Sequence, residues 1–83
     1  MNNLVSPEIL ALSDLPIGSS AIITEISNAM RNPKKFADAG MVPGTRLSME
    51  SHAPLGGLLR IKLLGSSLAL HRNDGKNIMV KLS

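Results

Sequence analysis

The sequence contains no cysteine, no tryptophan and no tyrosine, and its one aromatic residue is Phe36. The missing cysteines exclude a disulfide scaffold and every thiolate metal site, and they agree with a reducing cytoplasm. The missing aromatics exclude two recognition modes: proline-rich peptides lie in grooves lined by aromatic rings, and single-stranded nucleic acid stacks its bases on them. Charge of one sign is not concentrated either. The net charge of +3 comes from Lys and Arg spread singly or as the pair Lys34-Lys35, which makes no phosphate-binding stripe. Although 43% of the residues are hydrophobic, no run approaches the roughly 18 apolar residues of a membrane span. The opening stretch MNNLVSPEILALSDLPIG lacks the positive start of a secretory signal, and Pro7, Glu8, Asp14 and Pro16 interrupt it.

Catalytic and ligand-binding patterns are missing in the same way. A chain of 83 residues is read as one domain, and a domain of that size buries only about 60% of its unfolded surface, which leaves little room for an enclosed pocket. No GxxxxGK[ST] phosphate loop occurs, since Gly56-Gly57 and Gly65-Ser66-Ser67 are turn signals without a following helix. The hydroxyls nearest His52 and His71 are ordinary strand or turn residues, so no nucleophile–His arrangement can be placed. Both histidines are expected on outward faces of different strands, with Glu50 as the nearest carboxylate on the face of His52. A ferrous site needs more than that, and no metal or other cofactor is expected.

What the chain does have is short alternating runs divided by turn residues. SSAIITEIS at residues 19–27 reads as a first strand, with a bulge or a doubly buried point at Ile22-Ile23. Asn32-Pro33 marks a helix start, with Asn32 as N-cap and Pro33 at the first helical position, and PKKFADAG gives about two turns around Phe36 as a core anchor. Gly40 closes that helix in the left-handed conformation, and Val42-Pro43-Gly44 suits a type II turn. RLSMESHAP then alternates, Leu47, Met49 and Ser51 on one face and Arg46, Ser48, Glu50 and His52 on the other. Pro54-Leu55-Gly56-Gly57 connects to LRIKLLG, with Leu59, Ile61 and Leu63 inward. Gly65-Ser66-Ser67 turns into SLALHR, with Leu68 and Leu70 inward, and Asn73-Asp74-Gly75 leads to a last run with Ile78, Val80 and Leu82 on one face. The fold expected is mainly β, a small barrel of about five strands with one short α-helix between the first two. Closure of such a barrel removes exposed sheet edges and favours a monomer.

Four motifs in order carry a family resemblance. Leu12-Ser13-Asp14-Leu15-Pro16-Ile17-Gly18, Ala39-Gly40-Met41-Val42-Pro43-Gly44-Thr45, Ala53-Pro54-Leu55-Gly56 and Leu68-Ala69-Leu70 are similar to those of the FeoA family, small cytoplasmic proteins associated with ferrous iron transport. The resemblance covers about residues 12–82. It implies an SH3-like barrel and an FeoA-type domain over residues 1–83, in which residues 1–11 are an N-terminal extension; there Ser6-Pro7-Glu8-Ile9-Leu10 is compatible with an added helical turn. Leu58 stands where many relatives carry proline. Gly75 stands where alanine is usual in a short helical turn, and glycine costs such a turn roughly 1 kcal/mol.

The function implied is that of a non-enzymatic accessory protein of bacterial ferrous iron uptake. It would bind the cytoplasmic part of the FeoB-type permease and modulate transport, without nucleic acid and without inserting in the membrane, peripheral to the inner membrane through that partner. Exposed Leu55 and Leu58 are the candidate partner-binding residues, against the reading in which both fold over the barrel end. Because the permease carries a GTP-binding domain, Arg31 is the positional candidate for an arginine finger, a solvated loop arginine being the commoner role. The alternatives are a generic SH3-like interaction module and a domain of the type found at the C-terminus of metal-dependent repressors.

Overall fold

The computed structural model describes residues 8–53 and 57–83. Its elements are β1 (Ile9–Ala11), a 3-10 turn (Leu12–Asp14), β2 (Ser20–Ile26), α1 (Pro33–Asp38), β3 (Arg46–His52), β4 (Leu58–Leu63), β5 (Ser66–His71), α2 (Arg72–Gly75) and β6 (Ile78–Leu82). The six strands form one sheet in the order β1-β6-β2-β3-β4-β5, and every pairing is antiparallel.

The mainly β character and the five alternating runs are as the sequence predicts. The sixth strand is not. Of Ser6-Pro7-Glu8-Ile9-Leu10, compatible in sequence with an added helical turn, Ser6 and Pro7 lie outside the described residues, and Ile9, Leu10 and Ala11 pair with Lys81, Val80 and Met79. Extending the sheet satisfies the second edge of β6 and lets Leu10 pack against the core, which one helical turn of so few residues does not achieve. The helix between the expected first two strands therefore lies between β2 and β3.

Alternation is uninterrupted in β4, where Leu59, Ile61 and Leu63 are buried and Leu58, Arg60 and Lys62 are exposed. β2 and β3 each carry an irregularity. The β2–β6 register shifts between Ile23 and Glu25, one step beyond the expected point, so Ala21 and Ile23 face the core before it and Ile26 packs inward after it. The β3–β4 register shifts between Met49 and Ser51. That extra residue reverses the expected facing of the strand's end: Ser51 is exposed and His52 is half-buried.

Both predicted turns around α1 are present. Gly40 has φ +99°; its N–H reaches the Ala37 carbonyl at 2.9 Å and the Met41 N–H reaches the Phe36 carbonyl at 3.0 Å, the paired bonds of a Schellman cap. Gly44 has φ +96°, and the Thr45 N–H donates to the Val42 carbonyl at 3.1 Å, closing a type II turn on Pro43-Gly44. At the start of α1 the expectation is corrected. Asn32 precedes Pro33, but its side chain makes no capping bond and its backbone is left-handed at φ 52°, a conformation asparagine tolerates better than most residues. The next hairpin is also shifted. Leu64 and Gly65, both at positive φ, form a two-residue turn between Leu63 and Ser66, and Ser66 and Ser67 already belong to β5.

A Cβ built at Gly44 meets nothing within 4 Å, so Gly44→Ala isolates backbone strain. It is expected to destabilise by more than about 1 kcal/mol in urea unfolding, and a neutral result would mean that the turn has another form.

The sheet's outer strands, β1 and β5, do not pair with each other, so barrel closure is partial. At one end the gap is filled by α2, which follows β5 and packs on the 3-10 turn that follows β1. The Arg72 guanidinium reaches the Ser13 carbonyl at 3.4 Å. Leu12, Leu15, Ile23, Met41, Met49 and Leu59 are among the fully buried side chains inside.

Candidate functional site

Leu55, one of the two candidate partner-binding residues, lies outside the described residues. Leu58 opens β4 on the outward face and is 41% exposed, so it does not fold over the barrel end. It stands opposite His71 of β5. Beside it, a hollow of about 140 Å³ is lined by Ser51, Ala53, Leu58, Leu59, Arg60 and Ala69. Arg60 sits between Ser51 on β3 and Ala69 on β5, so this part of the sheet presents small side chains flanked by a leucine and a cation.

The two histidines part company. The bulge in β3 turns His52 toward the 3-10 turn, where its Nε2 lies 3.0 Å from the Leu15 carbonyl oxygen; a carbonyl only accepts, so the ring donates. His71 is exposed at the end of β5. The expectation that both face outward is thus corrected for His52. Glu50, the carboxylate nearest His52 in sequence, instead accepts a 2.7 Å hydrogen bond from the Ser67 hydroxyl. Among the described residues no group of three or more His, Cys, Asp and Glu is placed to hold a metal ion. No helix among them is long and apolar enough to cross a membrane.

Arg31, Asn32, Lys35 and Phe36 on the α1 side face His71 and Asp74 on the α2 side across an open cleft of about 570 Å³. Arg31 and Lys35 are exposed, and Lys35 Nζ stands 5.8 Å from the centroid of the Phe36 ring. The neighbouring Lys34 pairs with Asp38 at 3.8 Å, within the helix. The sequence treats Arg31 as a loop arginine and His71 as a strand surface residue; nothing in their spacing announces that α1 and the end of β5 line one cleft. Leu64, in its left-handed turn, is the most exposed large apolar side chain described, at 74%, and it lies against Gly40.

Comparison with known proteins agrees with the earlier resemblance. The family model described as the FeoA domain matches residues 10–82. The structure of an FeoA-like protein from Clostridium acetobutylicum is similar at a TM-score of 0.80 and 28% identity, covering 94% of this chain and 90% of that one. The zinc complex of FeoA from Stenotrophomonas maltophilia, described as a prokaryotic SH3 domain protein and a candidate ferrous iron transport activating factor, is similar at a TM-score of 0.71 and 25% identity, covering 83% and 86%. A manganese-dependent transcriptional repressor shares the fold at a TM-score of 0.84 and 18% identity, covering 96% of this chain and 45% of that one. No curated protein sequence gives a significant match.

Proposed function

The chain belongs to the FeoA family, and from that premise we propose that it is a non-enzymatic accessory protein of bacterial ferrous iron uptake that binds the cytoplasmic part of the FeoB-type permease and modulates transport. The observation that carries this reading is the family match over residues 10–82. The surface supports it. A small barrel with shallow, open hollows acts by surface complementarity rather than by enclosing a substrate, and Leu58 with its neighbours on β4 and β5 offers an apolar patch beside cations. Such a protein works in the cytoplasm and reaches the membrane through its partner.

The test is co-purification with the permease together with iron uptake. In a Leu55→Asp, Leu58→Asp variant both are expected to fall at least about tenfold while the amide spectrum keeps its native dispersion, because charge placed in an interface core costs affinity and Leu58 is exposed. Full uptake by a folded variant would move the contact elsewhere on the surface.

A second reading, a domain of the type found at the C-terminus of metal-dependent repressors, is favoured by the TM-score of 0.84 to the manganese-dependent repressor, but at 18% identity that likeness speaks for the fold alone. Saturable binding to operator DNA would favour it over the adaptor.

A further inference from the structure

The outer edge of β5 ends in the cleft beside α1, and the two features belong to one site. In the β4–β5 ladder the two-residue turn makes Leu63 and Ser66 the closing pair, so Ser66, Leu68 and Leu70 aim their N–H and C=O groups at β4. The Arg72 N–H continues that phase, reaching the Gly57 carbonyl at 2.6 Å. Ser67, Ala69 and His71 therefore point their backbone groups away from the sheet. Among the described residues no strand pairs with that side of β5, and outside the helices and strands no backbone hydrogen bond reaches the groups of Ser67 and Ala69 or the His71 N–H; the His71 carbonyl serves as the N-cap acceptor of α2.

An edge strand is normally blunted by lysine, proline, a bulge or extreme shortness. β5 reads SSLALH, without lysine or proline, and its register is unbroken over all its residues. The opposite edge of the sheet, β1, is only three residues long. The side chains on the open edge, Ser67, Ala69 and His71, are small or polar and exposed, which leaves room for a neighbouring strand. At one end of the edge the Glu50 carboxylate accepts from the Ser67 hydroxyl; at the other, at His71, the far wall of the cleft supplies Arg31 and Lys35 against the carboxylate of Asp74.

We propose that the edge of β5 and the Arg31–Lys35 wall together bind an extended acidic peptide of a protein partner. The peptide's main chain pairs with Ser67, Ala69 and the N–H of His71 as an added strand, and its carboxylates meet Arg31 and Lys35. Main-chain pairing provides affinity and the charges provide choice of partner. A second copy of the chain is disfavoured as occupant because its own net charge is +3. Leu58, opposite His71, makes the site continuous with the apolar patch. The inference deepens the adaptor reading and rests on it only for which protein owns the peptide.

The experiment uses the purified chain and a blocked, fluorescently labelled octapeptide alternating Glu and Val, with its Lys-Val counterpart as control. Saturable binding of the acidic peptide alone is expected, with slowed exchange of the Ser67, Ala69 and His71 amides. Arg31→Glu with Lys35→Glu should weaken binding at least about tenfold, since it reverses both charges on an exposed wall. Ala69→Pro should abolish it while leaving the β4–β5 ladder paired, because the N–H it removes faces away from β4. Should Ala69→Pro unfold, the charge-reversal variant and the amide exchange still decide. No saturable binding, equal binding of the Lys-Val peptide, indifference to the charge reversal, or protection of the same amides by self-association without peptide would each overturn the proposal. The permease plays no part in this measurement, so its outcome is independent of whether the permease co-purifies.

Discussion

Phe36→Ala is expected to lower the unfolding free energy by about 3–5 kcal/mol, the range for deleting a buried aromatic ring. Phe36 is 6% exposed and is the only buried residue of α1. A helix of six residues does not hold its shape in water unaided, so the ring is what fixes it to the barrel, with Met30 and Met41 buried on either side in sequence. Small domains have only some 5–15 kcal/mol of stability in total. The loss should appear as a lower urea midpoint, and Phe36→Leu should recover much of it. Because Arg31 and Lys35 take their position from the same helix, the acidic peptide should bind Phe36→Ala more weakly even where that variant remains folded. A midpoint within about 1 kcal/mol of the parent would show that α1 is held by other contacts.

Gly75→Val is expected to cost about 3 kcal/mol, combining overpacking with a β-branched side chain in a helical turn. A Cβ at Gly75 would lie 2.8 Å from Leu59 Cδ1 and 3.3 Å from the Ser13 backbone nitrogen. Leu59 is fully buried, so its methyl has little space to retreat, and the second neighbour is backbone. In the sequence this glycine reads as a defect in a helical turn; in the fold it is what lets α2 approach the 3-10 turn. Gly75→Ala therefore gains helix propensity and loses packing, and no net stabilisation is expected from it. In a Leu59→Ala background the valine penalty should shrink by at least about 1 kcal/mol, the non-additivity of residues that share one space. Equal penalties in the two backgrounds would place the strain elsewhere.

The parts of this structure legible in the sequence are those governed by neighbouring residues. Leu59, Ile61 and Leu63 alternate without a break, and Pro43-Gly44 and Gly40 have turn chemistries with few alternatives. Strict alternation places His52 on the wrong face because a bulge needs only one extra residue, and Glu50 carries no glycine-like mark of one. β1 is too short to show a period, and its partner is at the other end of the chain. The Leu64-Gly65 turn hides because leucine is a poor resident of a left-handed position. At the site, Leu58 was legible as an exposed apolar residue in a strand, while the cleft was not. Arg31, Lys35 and His71 come together only through the path of the β2–β3 connection, and the free edge of β5 is a property of the sheet order.

The contact that fills the gap at one end of the barrel also sets when that end forms. Arg72 and Ser13 are 59 positions apart, and the bond from the Thr24 hydroxyl to the Met79 carbonyl spans 55. Loops of that length lose much of their freedom before any contact repays it, so folding dominated by such pairings is slow, on the order of milliseconds to seconds. The β3–β4–β5 meander, built from near neighbours, is the natural early structure, and docking of α2 on the 3-10 turn is a late event. Strain at Gly75 should then leave the refolding rate nearly unchanged and appear almost wholly as faster unfolding. The glycine that permits closure thereby governs how long each molecule stays folded.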